Sequence, residues 1–269
     1  MGAPAGHDPG YRNLIAFNRA LTRWGSKGEL SESDGAVLCA GGSWIPLVGN
    51  SAFRADTSVP AADLVARADD FFGGLARGFG VKVRDTGVDD DLAEACVAGG
   101  LEPFGGPVPE MLCGAPLPEL DPPAGFTVTV VDDAAGVRSF SAVNGEAYGT
   151  YGMPAAAMDD LFDQPEVVLA DPAAHIVVAR RGTEAVATAM IFESDGVASV
   201  QWVGTVPSAR GLGLGALVTT AVTNLAFARG AASVTLQASP MGEPVYLALG
   251  YEPLFRYTEY VRWPRPPRG

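Results

Sequence analysis

The stretch Val203-Gly204-Thr205-Val206-Pro207-Ser208-Ala209-Arg210-Gly211-Leu212-Gly213-Leu214-Gly215 is where residue types and spacing speak most directly of chemistry. An apolar run of strand character passes through alternating glycines into a long helical stretch. The first amides of a helix lack partners within it and stand at the positive end of its dipole. A strand, a glycine loop and a helix in succession therefore hold an anion such as a pyrophosphate. Gly211, Gly213 and Gly215 have no β-carbon to keep the ligand away, and Arg210 adds a positive charge beside them. A single glycine would more simply make a tight turn; three in alternation beside an arginine point to phosphate.

Two other phosphate motifs fit less well. Gly211, Gly213 and Ala216 satisfy the G-x-G-x-x-A form of a dinucleotide fingerprint, but the expected acidic residue about twenty positions on is missing. The next acid is Glu243, and too little chain follows the loop to complete a doubly wound sheet. No Gly-Lys-Ser or Gly-Lys-Thr of a P-loop exists.

The elements that must position this loop are legible from hydrophobic period. Phe126 to Val131 alternates as a strand, and helical stretches follow over Ala134–Tyr148 and Pro154–Phe162. His175–Arg180, Ala185–Phe192 and Ala198–Val206 read as three strands of an antiparallel meander, with a turn at Ser194-Asp195-Gly196. Leu212–Arg229 places Leu214, Leu217, Val218, Ala221, Val222 and Leu225 on one stripe of a helix that Gly230 stops. A strand Ser233–Ala238, a helix Gly242–Leu249 and a strand Leu254–Val261 complete an α+β order.

The proline-rich segment 116–124 reads as a linker between two units, residues 1–115 and 125–269. Short strings repeat across it. Leu75-Ala76-Arg77-Gly78 answers Phe227-Ala228-Arg229-Gly230, and Gly100-Leu101-Glu102-Pro103-Phe104 answers Gly250-Tyr251-Glu252-Pro253-Leu254. Pro46-Leu47-Val48-Gly49-Asn50 matches Gln201-Trp202-Val203-Gly204-Thr205, and the three offsets of 152, 150 and 155 nearly agree. That pattern is the mark of a duplicated unit. The first ends at helix Asp8–Trp24 on its N-terminal side, with Leu14, Ile15, Phe17 and Leu21 apolar.

Composition narrows the function. At 48% apolar and 18% charged, 269 residues can bury a core of one large or two small domains. A net charge of −13 repels phosphate backbones and anionic lipid, so nucleic-acid and membrane-surface partners are poor candidates. An acidic surface can gather cationic amines, though it more often serves solubility. Cys39, Cys96 and Cys113 are odd in number, far apart and without a nearby His, which supports neither a disulfide framework nor a zinc site. The first ten residues carry no basic or apolar region of a secretory signal. The uncharged run Gly211–Ala228 contains three threonines and an asparagine and reads as a buried helix. A cytoplasmic protein without metal or membrane anchor is expected.

Arg210-Gly211-Leu212-Gly213-Leu214-Gly215 resembles the phosphate loop of the GNAT superfamily of acyl-CoA-dependent N-acetyltransferases, Arg/Gln-x-x-Gly-x-Gly/Ala. Ser239, Gly242, Tyr246 and Gly250-Tyr251 match that family's later motif, and the resemblance covers about residues 125–262. It implies two tandem GNAT-like domains, each a mixed, mostly antiparallel sheet flanked by helices. It implies acetyl-CoA as cosubstrate, with Val203, Gly204 and Thr205 holding the pantetheine arm, residues 210–215 the pyrophosphate and Ser239 the CoA arm. Tyr246 would protonate the departing thiolate. The acceptor would be a primary amine of a small molecule or peptide attacking the thioester directly. A noncatalytic CoA-binding or ligand-sensing module is the alternative. Many members carry a Glu on the fourth strand as base; here Gln201 and Trp202 stand there. Glu146 and Glu193 are the substitute candidates, and Tyr148 and Tyr151 lie in the link through which that fold admits the acceptor.

The first unit lacks the loop. Its equivalent stretch, Asn50–Pro60, has no glycine run and carries Asp56, and Cys96 stands where the second unit has Tyr246. One cofactor site per chain is expected, with the first unit a degenerate GNAT-like domain retained for packing or for shaping the acceptor site.

Overall fold

The computed structural model describes residues 9–264. Asp8, expected to open the first helix, lies outside them. The chain runs α1 Pro9–Trp24, β1 Glu29–Ser33, β2 Ala36–Ala40, β3 Ser51–Arg54, α2 Ala61–Gly74, β4 Phe79–Arg84, α3 Asp90–Ala98 and β5 Glu102–Cys113. After the 116–124 segment come β6 Phe126–Val130, α4 Ala134–Gly149, α5 Ala155–Leu161, α6 Pro165–Ala170, β7 Ala174–Arg181, β8 Glu184–Ser194 and β9 Val197–Thr205. A 3₁₀ turn, Pro207–Ala209, leads to α7 Leu214–Ala228, β10 Ser233–Gln237, α8 Glu243–Leu249 and β11 Glu252–Arg262. The α+β expectation holds. The short helix α6 was not anticipated: six residues are too few to show a period.

The strands join into a single eleven-stranded sheet in the order β1-β2-β3-β4-β11-β5-β10-β9-β8-β7-β6. The β3–β4 and β9–β10 pairs are parallel, and the others are antiparallel. The duplication is visible in this pattern, since a parallel pair joined by a crossover helix occurs once in each half. At its centre, however, the two halves trade strands. β5 pairs with β10 from Val234↔Cys113 to Gln237↔Glu110, while β11 reaches across to pair with β4 from Tyr257↔Arg84 to Arg262↔Phe79. Residues 116–124 therefore divide the chain but not the sheet.

Two of the repeated strings fall on equivalent places, the ends of α2 and α7 and the starts of β5 and β11. The third does not. Pro46–Asn50 forms a turn ahead of β3, whereas Gln201–Thr205 is the far end of β9. Three glycine-containing strings in order thus overstated the correspondence by one.

The linker is anchored rather than free. Leu117 is buried, its amide donates to Asn224 Oδ1 at 2.8 Å, and Asn224 Nδ2 donates back to its carbonyl at 2.9 Å, which straps the segment to α7. Helix α1 also crosses the sequence boundary. Phe17, Ala20, Leu21 and Trp24 share a core with Phe140, Met158, Leu161, Phe162 and Phe192 of the second half. Trp24 is fully buried, with rings of Phe162 and Phe192 at 6.1 and 6.0 Å. Asn13 Nδ2 donates to the carbonyls of Phe192 and Val197, tying α1 to the β8–β9 turn.

Candidate active site

The site opens where β9 and β10 part. They pair only from Ser233↔Val197 to Leu236↔Val200, after which β9 runs on to Thr205 held by β8, and β10 stays with β5. Beyond Val200 the β10-facing edge of β9 has no strand beside it. A bulge between Met190↔Gln201 and Thr188↔Gly204 coincides with a left-handed Trp202 at φ +52°. Such a backbone costs about 1–3 kcal/mol in a non-glycine residue. Edge contacts with the Tyr148 and Phe162 rings, at 5.5 and 6.1 Å, hold the indole in place. Gly204 is dictated by α4: a β-carbon there would lie 2.5 Å from Asn144 Oδ1 and 3.3 Å from Ala147 Cβ.

The glycine loop follows. Gly211 and Gly213 have φ of +77° and +76°, and a β-carbon on either would meet nothing within 4 Å. Both glycines are therefore needed for backbone shape, and the space they leave opens into the site. Gly213 caps α7, whose first helical bond runs from the Leu217 amide to the Gly213 carbonyl. The amides of Leu214, Gly215 and Ala216 precede that bond and lie at the positive end of the helix. The helix starts at Leu214, two residues later than its apolar stripe indicated, because the left-handed glycines cannot continue it. Leu212 is exposed and faces away from the cavity.

Arg210 lines the same cavity, and its guanidinium is engaged within the protein. Its Nη2 donates to the Ala147 carbonyl at 3.0 Å and to Thr150 Oγ1 at 3.1 Å, and its Nε to the Thr205 carbonyl at 3.3 Å. The guanidinium fastens the loop to the C-terminal end of α4, where helical carbonyls lack partners.

A cavity of about 370 Å³ lies between the glycine loop and the parted strands, lined by Tyr148, Gly204, Gly213, Ser239, Met241 and Tyr246 among others. A second cavity, of about 210 Å³, shares Tyr148, Val203, Ser239 and Tyr246 with it. Tyr246, on α8, is buried and lines both cavities. Burial, reinforced by Tyr151, pushes its phenol up to about 12. Tyr148 donates to the Val203 carbonyl at 3.3 Å, and burial raises its pKa as well. Ser239 Oγ accepts from the Gly242 amide at 3.1 Å, closing the turn that leads into α8.

The structure thus gathers Val203, Gly204, Thr205, Arg210, Gly211, Gly213, Leu214, Gly215, Ser239, Tyr148, Tyr151 and Tyr246 around one cavity. Tyr151 is half-exposed at its mouth, its hydroxyl 3.7 Å from Met241 Sδ. Glu146 and Glu193 do not join them. Glu146 is exposed on α4 and lines neither cavity. Glu193 lies opposite Ala198, paired with Arg229 at 2.9 Å, roughly 16 Å along β9 from Val203 at the rise of a strand. Strand reading had put Glu193 at a turn without showing which end of the meander that turn occupied.

Sequence reasoning missed the wall of the second cavity supplied by the first half: Phe17 and Asn18 of α1, Ser51 of β3 and Lys82 of β4. These residues converge only through the shared sheet, and no local pattern marks them. Elsewhere in that half, the loop between β3 and α2 has an internal anion, since Asp56 Oδ1 accepts from the Ser58 amide at 2.8 Å. Cys96 is buried on α3, and its thiol is pushed up to about 12, which leaves it unreactive. Among the described residues no group of three His, Cys, Asp or Glu side chains gathers to hold a metal, and no helix is long and apolar enough to cross a membrane.

Residues 138–251 match the model of the Acetyltransferase (GNAT) family. Among solved structures, a GCN5-related N-acetyltransferase from Kribbella flavida superposes with a TM-score of 0.68 at 24% identity, covering 96% of each chain. One from Sphaerobacter thermophilus gives 0.63 at 16%, covering 98% of this chain and 95% of that one. A tandem GNAT protein from the clavulanic acid biosynthesis pathway gives 0.57 at 15%, covering 99% and 98%. These likenesses extend over both halves and concern the fold. Among curated proteins none matches the sequence.

Proposed function

We propose, for a chain whose residues 138–251 form a GNAT-family domain, that it transfers an acetyl group from acetyl-CoA to a primary amine of a small molecule or peptide. The observation that carries this reading is Tyr246, which lines both the cavity beside the glycine loop and the second, smaller one. The residues fit the cosubstrate. The amides of Leu214, Gly215 and Ala216 would take the pyrophosphate, and a β-carbon on Gly211 or Gly213 would intrude on that space. The open edge of β9 at Val203–Thr205 offers backbone groups to the amide-bearing pantetheine arm.

When bound, acetyl-CoA supplies a thioester carbon open to attack. The amine nitrogen forms the C–N bond, the C–S bond breaks, the nitrogen gives up a proton and the sulfur gains one. Tyr246 stays protonated at neutral pH and donates to the sulfur as it acquires charge. A phenol near 12 is a weaker acid than a thiol near 8.5, so its main contribution is a hydrogen bond, with the proton passing on from the amine. No carboxylate among the described residues lines either cavity, so the acceptor ammonium sheds to solvent the proton it must lose before attack, and the second proton is the one passed on to the sulfur. That same lack favours a second reading, a CoA-binding sensor. Three free, buried cysteines accord with a reducing compartment such as the cytoplasm.

Tyr246→Phe keeps the ring and removes the donor. Thiol release with an amine panel should fall toward the lower end of roughly 10²–10⁴-fold, with acetyl-CoA affinity by calorimetry unchanged. Undiminished turnover would make Tyr246 a packing residue. Tight acetyl-CoA binding with no amine consumed would favour the sensor.

A further inference from the structure

The second cavity has a chemical character of its own. Its apolar side is built by Leu14, Phe17 and Leu21 of α1, and amide side chains are contributed by Asn18, Gln201 and Gln237. Among the described residues that line it, one side chain is charged: Lys82. Lys82 is nine-tenths buried on β4 and pairs with Glu259, its direct cross-strand partner on β11. The Tyr257 ring lies beneath the ammonium, 5.7 Å from Nζ to the centroid. An ammonium has three donors, and Glu259 takes one. A buried cation with unfilled donors, facing a cavity that brings no carboxylate of its own, is matched by an anion on the ligand.

We infer that the acceptor is a small primary amine carrying a carboxylate, its amine at the Tyr246 opening and its carboxylate on Lys82. This rests on the acetyl-transfer reading above. At about 210 Å³ the cavity is smaller than the roughly 300–1,000 Å³ of pockets for drug-sized ligands, which suits a molecule of amino-acid size. A second ammonium, as in a diamine or polyamine, would be buried beside Lys82 with Glu259 already engaged. The net charge of −13 gives an anionic substrate no long-range attraction, so recognition depends on this contact. The acceptor site is thereby a product of both halves: the amine is acetylated in the second, and its far end is recognised by β4 of the first.

The test uses the full chain, acetyl-CoA and thiol release with matched acceptors: aliphatic amino acids of two to six carbons, the corresponding amides, and diamines of equal length. The acids should exceed their amides and the diamines in kcat/KM by roughly ten- to a hundredfold, the range for a hydrogen bond to a charged group. In Lys82→Met the acid-to-amide ratio should fall to about one. Because that variant leaves Glu259 buried without its partner, Lys82→Met combined with Glu259→Gln is run beside it, with the same expected ratio. Amides or diamines equal to the acids in the native chain, or an acid preference that survives both variants, would overturn the inference while acetyl transfer stands. Failure of every amine to release thiol, measured beside acetyl-CoA affinity, would instead remove the transfer reading on which it rests.

Discussion

Gly213 and Gly196 share a φ of +76°, and a β-carbon on either would meet nothing within 4 Å. Gly213 stands in the loop before α7, whereas Gly196 turns the β8–β9 hairpin away from the cavity. Valine at either site puts a side chain on left-handed backbone, costing at least about 1–2 kcal/mol. In a chain of this length that lowers the melting temperature by roughly 2–8 °C. Stability should therefore respond alike to the two substitutions. Affinity should not. A side chain at 213 projects into the space proposed for the pyrophosphate and displaces it from the first amides of α7. Charge-assisted hydrogen bonds contribute about 1.5–3 kcal/mol each, so losing two weakens binding roughly 10²- to 10⁴-fold. Calorimetry with acetyl-CoA, beside thermal unfolding of both variants, separates the effects. Gly213→Val binding within threefold of the native chain, at a melting temperature matching that of Gly196→Val, would refute the assignment of the loop.

Titration with acetyl-CoA should reach one equivalent per chain, because Asp56 already occupies an amide of the first half's loop; a second equivalent would show that half to be competent. Raising the Tyr246 phenol to about 12 keeps it protonated through the ordinary working range, so kcat should rise with pH toward the pKa of the acceptor amine. A falling limb between pH 7 and 10 that vanishes in Tyr246→Phe would contradict this. Trp24→Ala empties a fully buried site at the junction of α1 with the second half and should cost about 3–5 kcal/mol in chemical denaturation; a cost below about 1 kcal/mol would mean that α1 does not hold the halves together.

The loop was legible in the sequence because everything it needs is contiguous: alternating glycines, an entering strand and a helix stripe. The roles within it were less so. Arg210 sits in the motif's place, yet its guanidinium reaches α4, and a motif records position without direction. Glu193 illustrates the complementary loss, since strand period identifies β8 but not which of its ends lies near the cavity. The antiparallel meander and the α+β order followed from local pattern. The crossing of β5 and β11 did not, because the partner of a strand lies far away in sequence and nothing within either strand names it. Lys82 was invisible for the same reason: its importance arises from what β4 lies near, and that depends on the exchange.

That exchange bears on how the molecule is made. Lys82 and Glu259 meet across 177 residues of chain, so β4 must wait for its neighbour until that whole stretch has been synthesised. At roughly 5–20 residues per second the wait is about 10–35 s, during which the β4 edge has no native strand to cover it. The first half therefore cannot finish folding ahead of the second, and its unfinished edge is the point at which chaperones or aggregation would act during synthesis.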